Sequence, residues 1–406
     1  MKSGYLSQYF IGVAAKTLSA VEVDYAASNQ HEFNGISELK NLFGSNIEKK
    51  RYNAKFLYLN DNDDEPAVDD GFLTWYDARA NHPTRSEYRL YFPGTAVSNC
   101  AEAGDLLVIA LQDNNTVLVI IAENGSTIGN QIKWLFGLDI SSHPGFSIRE
   151  ELESEQDRIA FASMIILEQI GIEVKVTEET FLDGMLNRFG AKFPDTRTFS
   201  EYARSTIPEP DPFTDPDRTL MSWIEREEIL FRTLEKHLIA DRLLTGFNET
   251  EDFISFSLSV QNRRKSRVGY AFENHLEELF NIYRIMYDRT KVTENKSKPD
   301  FIFPGINFYH DTGFDSLLLT MLGVKSTCKD RWRQVLTEAD RIHSKHLITL
   351  EAAISENQTN EMAVRNLQLV LPEVLHQTYT IEQQKWLINV REFMELLTDK
   401  QRKAGL

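Results

Sequence analysis

The sequence predicts two folded parts of different class: a β-rich, barrel-like amino-terminal domain, then an α/β core in which helices flank a central mixed sheet. Three observations predict this. Five short apolar runs separated by turn residues occupy positions 51 to about 145. A Pro- and Asp-rich stretch, "TIPEPDPFTDPDRT" (206–219), interrupts the chain. Beyond it the order becomes helix, strand, strand, helix, strand, the signature of a sheet with helical cover.

The first strands are "KFLYLN", "GFLTWYDA", "EYRLYF", "DLLVIAL" and "TVLVIIA", rich in β-branched and aromatic residues and separated by "NDNDDEP", "NHPT", "AEAGD" and "QDNN". The opening "MKSGYLSQYFIGVAAKTLSA" reads as a folded element rather than a secretion signal, because Ser7, Gln8 and Lys16 break its apolar run. From about residue 150, "EQDRIAFASMIILEQIG" has helical spacing. "LMSWIEREEILFRTLEKHLIADRLL" and "VGYAFENHLEELFNIYRIMY" read as long amphipathic helices, "DFIFP" and "LLLTMLGVK" as strands, then a helix from near Lys329 and a strand "HLITL". The expected organisation is 1–180 as the β-rich domain, 181–219 as connector and 220–406 as the α/β core.

The 406 residues are 42% hydrophobic and 11% aromatic, enough for real cores. Cys100 and Cys328 are too few for a disulfide framework or a Cys-rich zinc site, which suits a reducing, cytoplasmic setting, and each reads as a buried thiol. No apolar run approaches the ~20 residues that a membrane-spanning helix requires. A net charge of −17 argues against indiscriminate coating of nucleic acid, but not against a confined basic cleft. Basic residues do cluster, in "NRRKSR" (262–267), in "KSTCKDRWR" (325–333) and, more loosely, in "ARANHPTRSEYR" (78–89).

One constellation carries chemistry. Asp300 stands at the start of the strand in "KPDFIFP", and Lys325 closes the run "LLLTMLGVK". Neighbouring strands would bring the two together. In the following helix Trp332, Val335, Ala339 and Ile342 form an apolar stripe, with Glu338 at its edge. Two carboxylates and a lysine suit magnesium-assisted phosphodiester hydrolysis. The acids hold a hard cation, and the lysine orients water and offsets charge in the transition state. Spacing alone leaves the bland reading open: Asp300 capping a turn, Lys325 a solvated strand end, Glu338 paired to a helix neighbour.

The segments "SVQNRRKSRVGYAFENHLEELF", "KPDFIFPG", "YHDTGF", "GVKSTCKDRWRQVLTEADRIH" and "HLITL", in this order, resemble the catalytic domain of EcoRII-type type II restriction endonucleases, of the PD-(D/E)xK nuclease superfamily. The resemblance covers the carboxyl-terminal half and implies a restriction-endonuclease-like core. It implies that Asp300 and Glu338 bind Mg2+, that Lys325 is the catalytic lysine, and that Glu273 on the first helix reaches the metal through water. The superfamily usually places an acid two residues before the lysine. Here that place is Gly323, and the second acid comes from the following helix. Tyr309 and His310 match a motif beside the site.

The resemblance also implies that Lys329, Asp330 and Arg331 read a CC/GG core. Lys and Arg donate to guanine O6 and N7, and Asp accepts from cytosine N4. Arg263, Arg264, Lys265 and Arg267 would then hold phosphates. The amino-terminal half is similar to the effector-binding pseudobarrel of the same enzymes, with Arg79, Asn81, His82, Arg85 and Arg89 facing DNA. The function so implied is cleavage of double-stranded DNA at a palindromic site of the CCNGG or CCWGG kind, leaving 5′-phosphate and 3′-hydroxyl ends. A homodimer would act beside a cognate cytosine methyltransferase, restrained by its amino-terminal domain until that domain binds a second site. Two further readings stay open: a nuclease of the same core that requires modified DNA, and a non-catalytic DNA-binding regulator.

Overall fold

The computed structural model describes residues 6, 9–23, 32–33, 39–45, 48–62, 67–82, 84–112, 115–138, 147–149, 160–172, 181–207, 211–328 and 331–406. They belong to two compact units, Met1–Ile172 with Ala352–Ser355, and Glu173–Glu351 with Glu356–Leu406. No helix among the described residues is long and apolar enough to cross a membrane.

The first unit is an eight-stranded sheet curled into a half-barrel. Its strands are β1 (Gly12–Thr17), β2 (Glu32–Phe33), β3 (Lys50–Leu59), β4 (Ala67–Asp77), β5 (Tyr88–Tyr91), β6 (Leu106–Leu111), β7 (Thr116–Ala122) and β8 (Ser147–Arg149), ordered β2-β5-β4-β3-β7-β6-β1-β8. All five strands expected from the sequence are present. Every pairing is antiparallel except that of β3 with β7. The continuous apolar runs of β6 and β7 are buried at nearly every position, as strands covered on both faces must be. Phe56, Leu73, Trp75, Leu107 and Val119 lie in the core within the curl. Two helices follow, α1 (Thr127–Phe136) and α2 (Ala160–Gln169). Cys100 is exposed, contrary to expectation, and Cys328 in the second unit is buried.

The stretch expected as a connector is largely helical among its described residues and belongs to the second unit. Helices α3 (Leu182–Phe189) and α4 (Thr196–Ser205) pack Met185, Phe199 and Ala203 against Leu230, Phe231 and Leu234 of α5 (Pro216–Thr245). At the end of the stretch that resembled a linker, Asp215 and Pro216 are helix-start chemistry: the Asp215 side chain accepts from Arg218 N at 3.0 Å, and Pro216 occupies the first turn. Asp217 is buried and accepts from Glu373 N (3.0 Å), Val390 N (2.8 Å) and Arg391 N (3.0 Å), so the carboxyl-terminal helix is docked through it.

Helix α6 (Thr250–Ile282) leads into the second sheet. Its strands are β9 (Asp288–Arg289), β10 (Phe301–Phe303), β11 (Thr320–Lys325), β12 (Lys345–Thr349) and β13 (Leu367–Val370), with a short helix α7 (Ile306–His310) after β10 and another, α8 (Trp332–Val335), after β11. The order is β13-β12-β11-β10-β9, antiparallel from β9 to β11 and parallel from β11 to β13: the expected mixed sheet. Phe280 of α6 meets Phe301 and Phe303 edge-on at 5.1 Å, and Phe393 of the last helix, α9 (Val390–Lys403), approaches Phe303 at 6.1 Å. Such aromatic contacts bury large areas and hold the central strands in place.

Candidate active site at the ends of two strands

Asp300 immediately precedes β10, and Lys325 is the last residue of β11. The antiparallel register sets Phe301 opposite Leu322, so the start of one strand lies beside the end of the other. The Asp300 Oδ2 atom accepts from the Lys325 ammonium at 2.9 Å and from Val324 N at 2.6 Å. Both side chains are about one-fifth exposed, 19% and 20%, so the pair sits in a wall rather than on an open surface. The backbone bond fixes the carboxylate without consuming its second oxygen.

Glu338 reaches the same place by a different route. The sequence predicts one helix from Lys329 past Glu338, whereas the structure ends α8 at Val335 and continues in turns. The apolar stripe is nonetheless buried as expected: Trp332, Val335, Ala339 and Ile342 are all inside. The break is visible at Ala339, whose φ of +52° lies in the left-handed region. Burial, with the Asp300 charge adding to it, pushes the Glu338 carboxyl up to about 6, against the opposing pull of Lys325 and Lys345. Its Oε2 atom is buried with no hydrogen-bond partner.

Gly323 explains why the second acid arrives from this segment. A Cβ there would lie 2.7 Å from Val335 Cγ2 and 3.1 Å from Cγ1, because α8 packs directly on the strand. A side chain two residues before the lysine and a closely packed α8 are therefore mutually exclusive.

An orphaned, buried carboxylate oxygen beside a second carboxylate is a ready site for a hard cation. Among the described residues no three His, Cys, Asp or Glu side chains gather closely enough to enclose a metal. A cation here would rest on Asp300 and Glu338, with water and substrate oxygens completing its shell. That donor set fits magnesium, which is commonly held by one or two carboxylates together with substrate phosphates. Glu273 on α6 is not brought in as a third ligand. Arg289 Nη2 holds its Oε2 at 2.6 Å, while burial, and after it the Asp300 charge, raise its pKa.

Tyr309 is buried, and its hydroxyl donates to Glu294 Oε2 at 2.5 Å, so it faces the interior rather than a substrate. His310 beside it is exposed. Arg331 is exposed at the start of α8, and its guanidinium bonds Thr327 Oγ1 at 2.5 Å and Thr327 O at 3.1 Å, four residues back along the chain. Lys329 and Asp330 lie outside the described residues.

The basic cluster on α6 is divided by helical geometry. Arg264, Arg267, Ala271 and His275 share the face turned toward α4 and α5. Arg267 is buried, 3.3 Å from Glu227 Oε1 and with its guanidinium 4.1 Å from the Phe199 ring centroid. This corrects its expected role at phosphates. Arg264 is tied to the buried Glu235 at 2.6 Å, and Arg263 lies over Phe193 at 5.3 Å. Lys265 alone of the four is exposed, Arg263 and Arg264 being intermediate.

In the first unit, Arg79, Asn81, His82 and Arg85 lie in the exposed turn between β4 and β5, with Arg89 on β5. Arg89 pairs with Glu32 at 3.0 Å and Glu87 at 2.8 Å, and Arg79 pairs with Glu87 at 2.5 Å, so two of the three arginines are answered locally. The His82 Nδ1 atom accepts from Thr84 N and Arg85 N, which shapes the turn.

Sequence reasoning missed the residues that hold this site together: Lys345, whose ammonium donates to Glu338 O; Glu351, whose buried carboxylate accepts from Cys328 N; and Arg341, whose guanidinium donates to Tyr309 O, Asp311 O (2.9 Å) and Phe314 O (2.9 Å). Lys345 had one signal, a charge immediately before the strand-like run "HLITL". Bonds to backbone carbonyls leave no such trace.

Residues 231–394 match the family model of the EcoRII C terminal region. The type II restriction enzyme EcoRII of Escherichia coli is 40% identical over 208 residues, which are 51% of this chain and 51% of that protein. The chain thus spans about half the length of the curated relative it matches. Among solved structures, metal-depleted Ecl18kI in complex with uncleaved, modified DNA superposes with a TM-score of 0.43 at 17% identity, over 57% of this chain and 87% of that one. A PspGI–substrate DNA complex gives 0.43 at 16% identity, over 57% and 98%. Over residues 231–394, then, the chain is similar to the EcoRII C-terminal family, and this stretch contains Asp300, Lys325 and Glu338.

Proposed function

We propose that this chain is a type II restriction endonuclease that hydrolyses double-stranded DNA at a palindromic site with a CC/GG core, in a magnesium-dependent reaction leaving 5′-phosphate and 3′-hydroxyl ends. The observation that carries the reading is the convergence of the Asp300–Lys325 pair and the partnerless Glu338 oxygen, within a stretch 40% identical to a restriction enzyme.

In this reading Asp300 and Glu338 hold the cation, and Val324 N keeps Asp300 aimed at it. Bound magnesium supplies polarisation of the scissile phosphate and acidifies a water. The Lys325 ammonium, held at the strand end by Asp300, orients the attacking water and answers the charge that grows on the phosphate oxygens. Glu273 and Arg289 form the flank of the site. Tyr309 and His310 act from beside it, Tyr309 by fixing the chain and exposed His310 by meeting the backbone of DNA. Lys329, Asp330 and Arg331 read bases, while Lys265, with Arg263 and Arg264 behind it, meets phosphates. A homodimer matches the two-fold symmetry of such a site, and a cognate cytosine methyltransferase would protect it in a cytoplasmic setting. The half-barrel would bind a second DNA copy through the turn bearing Asn81, His82 and Arg85, with Arg79 and Arg89 bracing it, and would regulate cleavage.

Incubation with unmethylated plasmid and magnesium tests this. Discrete fragments are expected; a smear would mean a nuclease without a site, and intact plasmid would remove the proposal.

A further inference from the structure

The chain that presents Glu338 is neither helix nor strand, so its carbonyls lack the regular partners those elements supply. Lys345 answers this. It is the first residue of β12, where its N–H bonds Asn366 O at 3.0 Å and its backbone pairs with Leu367, so the sheet fixes its Cα. Its side chain runs back under the turn, and the ammonium donates to Glu338 O and, at 3.3 Å, to Ala339 O. The residue is 7% exposed. A buried ammonium is costly unless its hydrogens are taken up, so this lysine and the turn stabilise each other in one arrangement.

The turn is fastened on its far side as well. Glu294 Oε2, already holding Tyr309, accepts from Asp340 N at 3.4 Å, and the Tyr309 hydroxyl oxygen accepts from Arg341 N at 3.3 Å. The four residues from Glu338 to Arg341 are thus held between β12 and the two segments that flank β10. Of these four, Glu338 alone carries a buried side-chain oxygen without a hydrogen-bond partner.

We propose that Lys345 is a positioning residue for the cation site: by clamping the Glu338 backbone to the sheet that carries Asp300 and Lys325, it holds the second carboxylate ready for a divalent cation before one arrives. The inference rests on the reading of Glu338 as a metal-binding acid and assigns a further residue to that site. A loosened clamp makes the cation bear the cost of ordering the turn, which weakens metal affinity while leaving DNA affinity alone.

The test is Mn2+ binding, followed by electron paramagnetic resonance, to the full chain on a duplex that the wild type cleaves. Lys345→Met should weaken Mn2+ binding by about tenfold, the lower end of what loss of a supporting residue costs a metal site. The Mg2+ needed for half-maximal cleavage should rise by the same factor. Duplex affinity without metal should be unchanged, and Lys345→Arg should recover most of the loss. Thermal melting establishes that each variant is folded. If Lys345→Met melts below the assay temperature, Lys345→Gln takes its place, with the same expectation. Wild-type Mn2+ affinity in the folded variant would overturn the proposal. Glu338→Gln in the same assay separates the two readings. If it binds Mn2+ weakly while the Lys345 variant binds normally, only the clamp is wrong; if it binds Mn2+ like the wild type, the role of Glu338 falls and the clamp with it.

Discussion

Asp300 and Lys325 are delivered by strand ends, Glu338 by a turn, and the two deliveries obey different physics. At the strand ends, the ladder between β10 and β11 sets the separation, and a single backbone bond from Val324 fixes Asp300. Nothing else is needed, because register already places both side chains. At the turn, no repeating ladder exists. Position is set by individual contacts instead: Val335 against Gly323, Lys345 on the carbonyls, Glu294 and Tyr309 on the N–H groups. A site assembled in these two ways should be robust on one side and adjustable on the other.

The largest effects should come from the strand-end pair. Asp300→Ala and Lys325→Ala should each lower the cleavage rate by on the order of a thousandfold, the scale expected when a preorganised group at the reacting centre is removed. The two should differ in stability. Asp300→Ala strips Val324 N of its acceptor and should cost about 1–2 kcal/mol, whereas Lys325→Ala removes no acceptor from the backbone. Denaturant titration of the two proteins checks this, and equal losses would mean that register alone does not hold Asp300.

Glu338 should behave in the opposite sense. Burial raises its carboxyl to about 6, so the fold favours the protonated form. For an acid with a raised pKa, the stabilising contribution is present at low pH and disappears as pH rises through the folded value. Above pH 7 the ionised group should therefore destabilise the metal-free protein, by about 2 kcal/mol or less. Glu338→Gln should abolish most cleavage and yet raise the melting temperature at pH 8 without metal, with the gain vanishing below pH 5. A variant that is less stable than wild type at pH 8 would show that the carboxylate is already satisfied.

This division also decides what could be read from the sequence. Asp300 and Lys325 were legible because strand boundaries show in local apolar runs, as did the five strands of the half-barrel. The burial of Trp332, Val335, Ala339 and Ile342 was legible too, but not the path between them. Helical spacing reports which residues face inward, and a short helix followed by a packed turn buries the same set. The Pro- and Asp-rich stretch was ambiguous for a related reason: capping residues and linker residues are the same types, and it is contacts such as those of Asp217 with Glu373 N and Val390 N that distinguish them. Arg267 was misplaced because a basic run in one dimension is spread around a helix in three.

The next effect in size concerns Gly323. Adding one methyl there drives it against Val335, and overpacking of this kind costs about 1–3 kcal/mol. Gly323→Ala should push α8 from the strand and carry Glu338 with it, so that more Mg2+ is required while Asp300 and Lys325 stay in register. The double variant Gly323→Ala, Val335→Ala should recover much of the lost metal affinity, a coupling that two independent sites would not show. Strict additivity would break the link between the glycine and the turn.

The smallest effects on cleavage chemistry, and the sharpest on selectivity, are expected from the arginines. Arg331 is exposed and held by its own loop, while Arg267 is buried on Glu227 and Phe199. If exposure marks the base-reading group, Arg331→Ala should weaken binding to a cleavable duplex by about 1–3 kcal/mol, with little change on a random duplex. Arg267→Ala should affect both duplexes equally and only through stability, because its loss leaves Glu227 buried without its ion-pair partner. Competition binding on the two duplexes, with melting curves for both variants, reads each arm. Equal weakening on both duplexes by Arg331→Ala would assign that arginine to the phosphate backbone. A duplex-selective loss in Arg267→Ala, at unchanged melting temperature, would mean that the buried face of α6 opens when DNA binds.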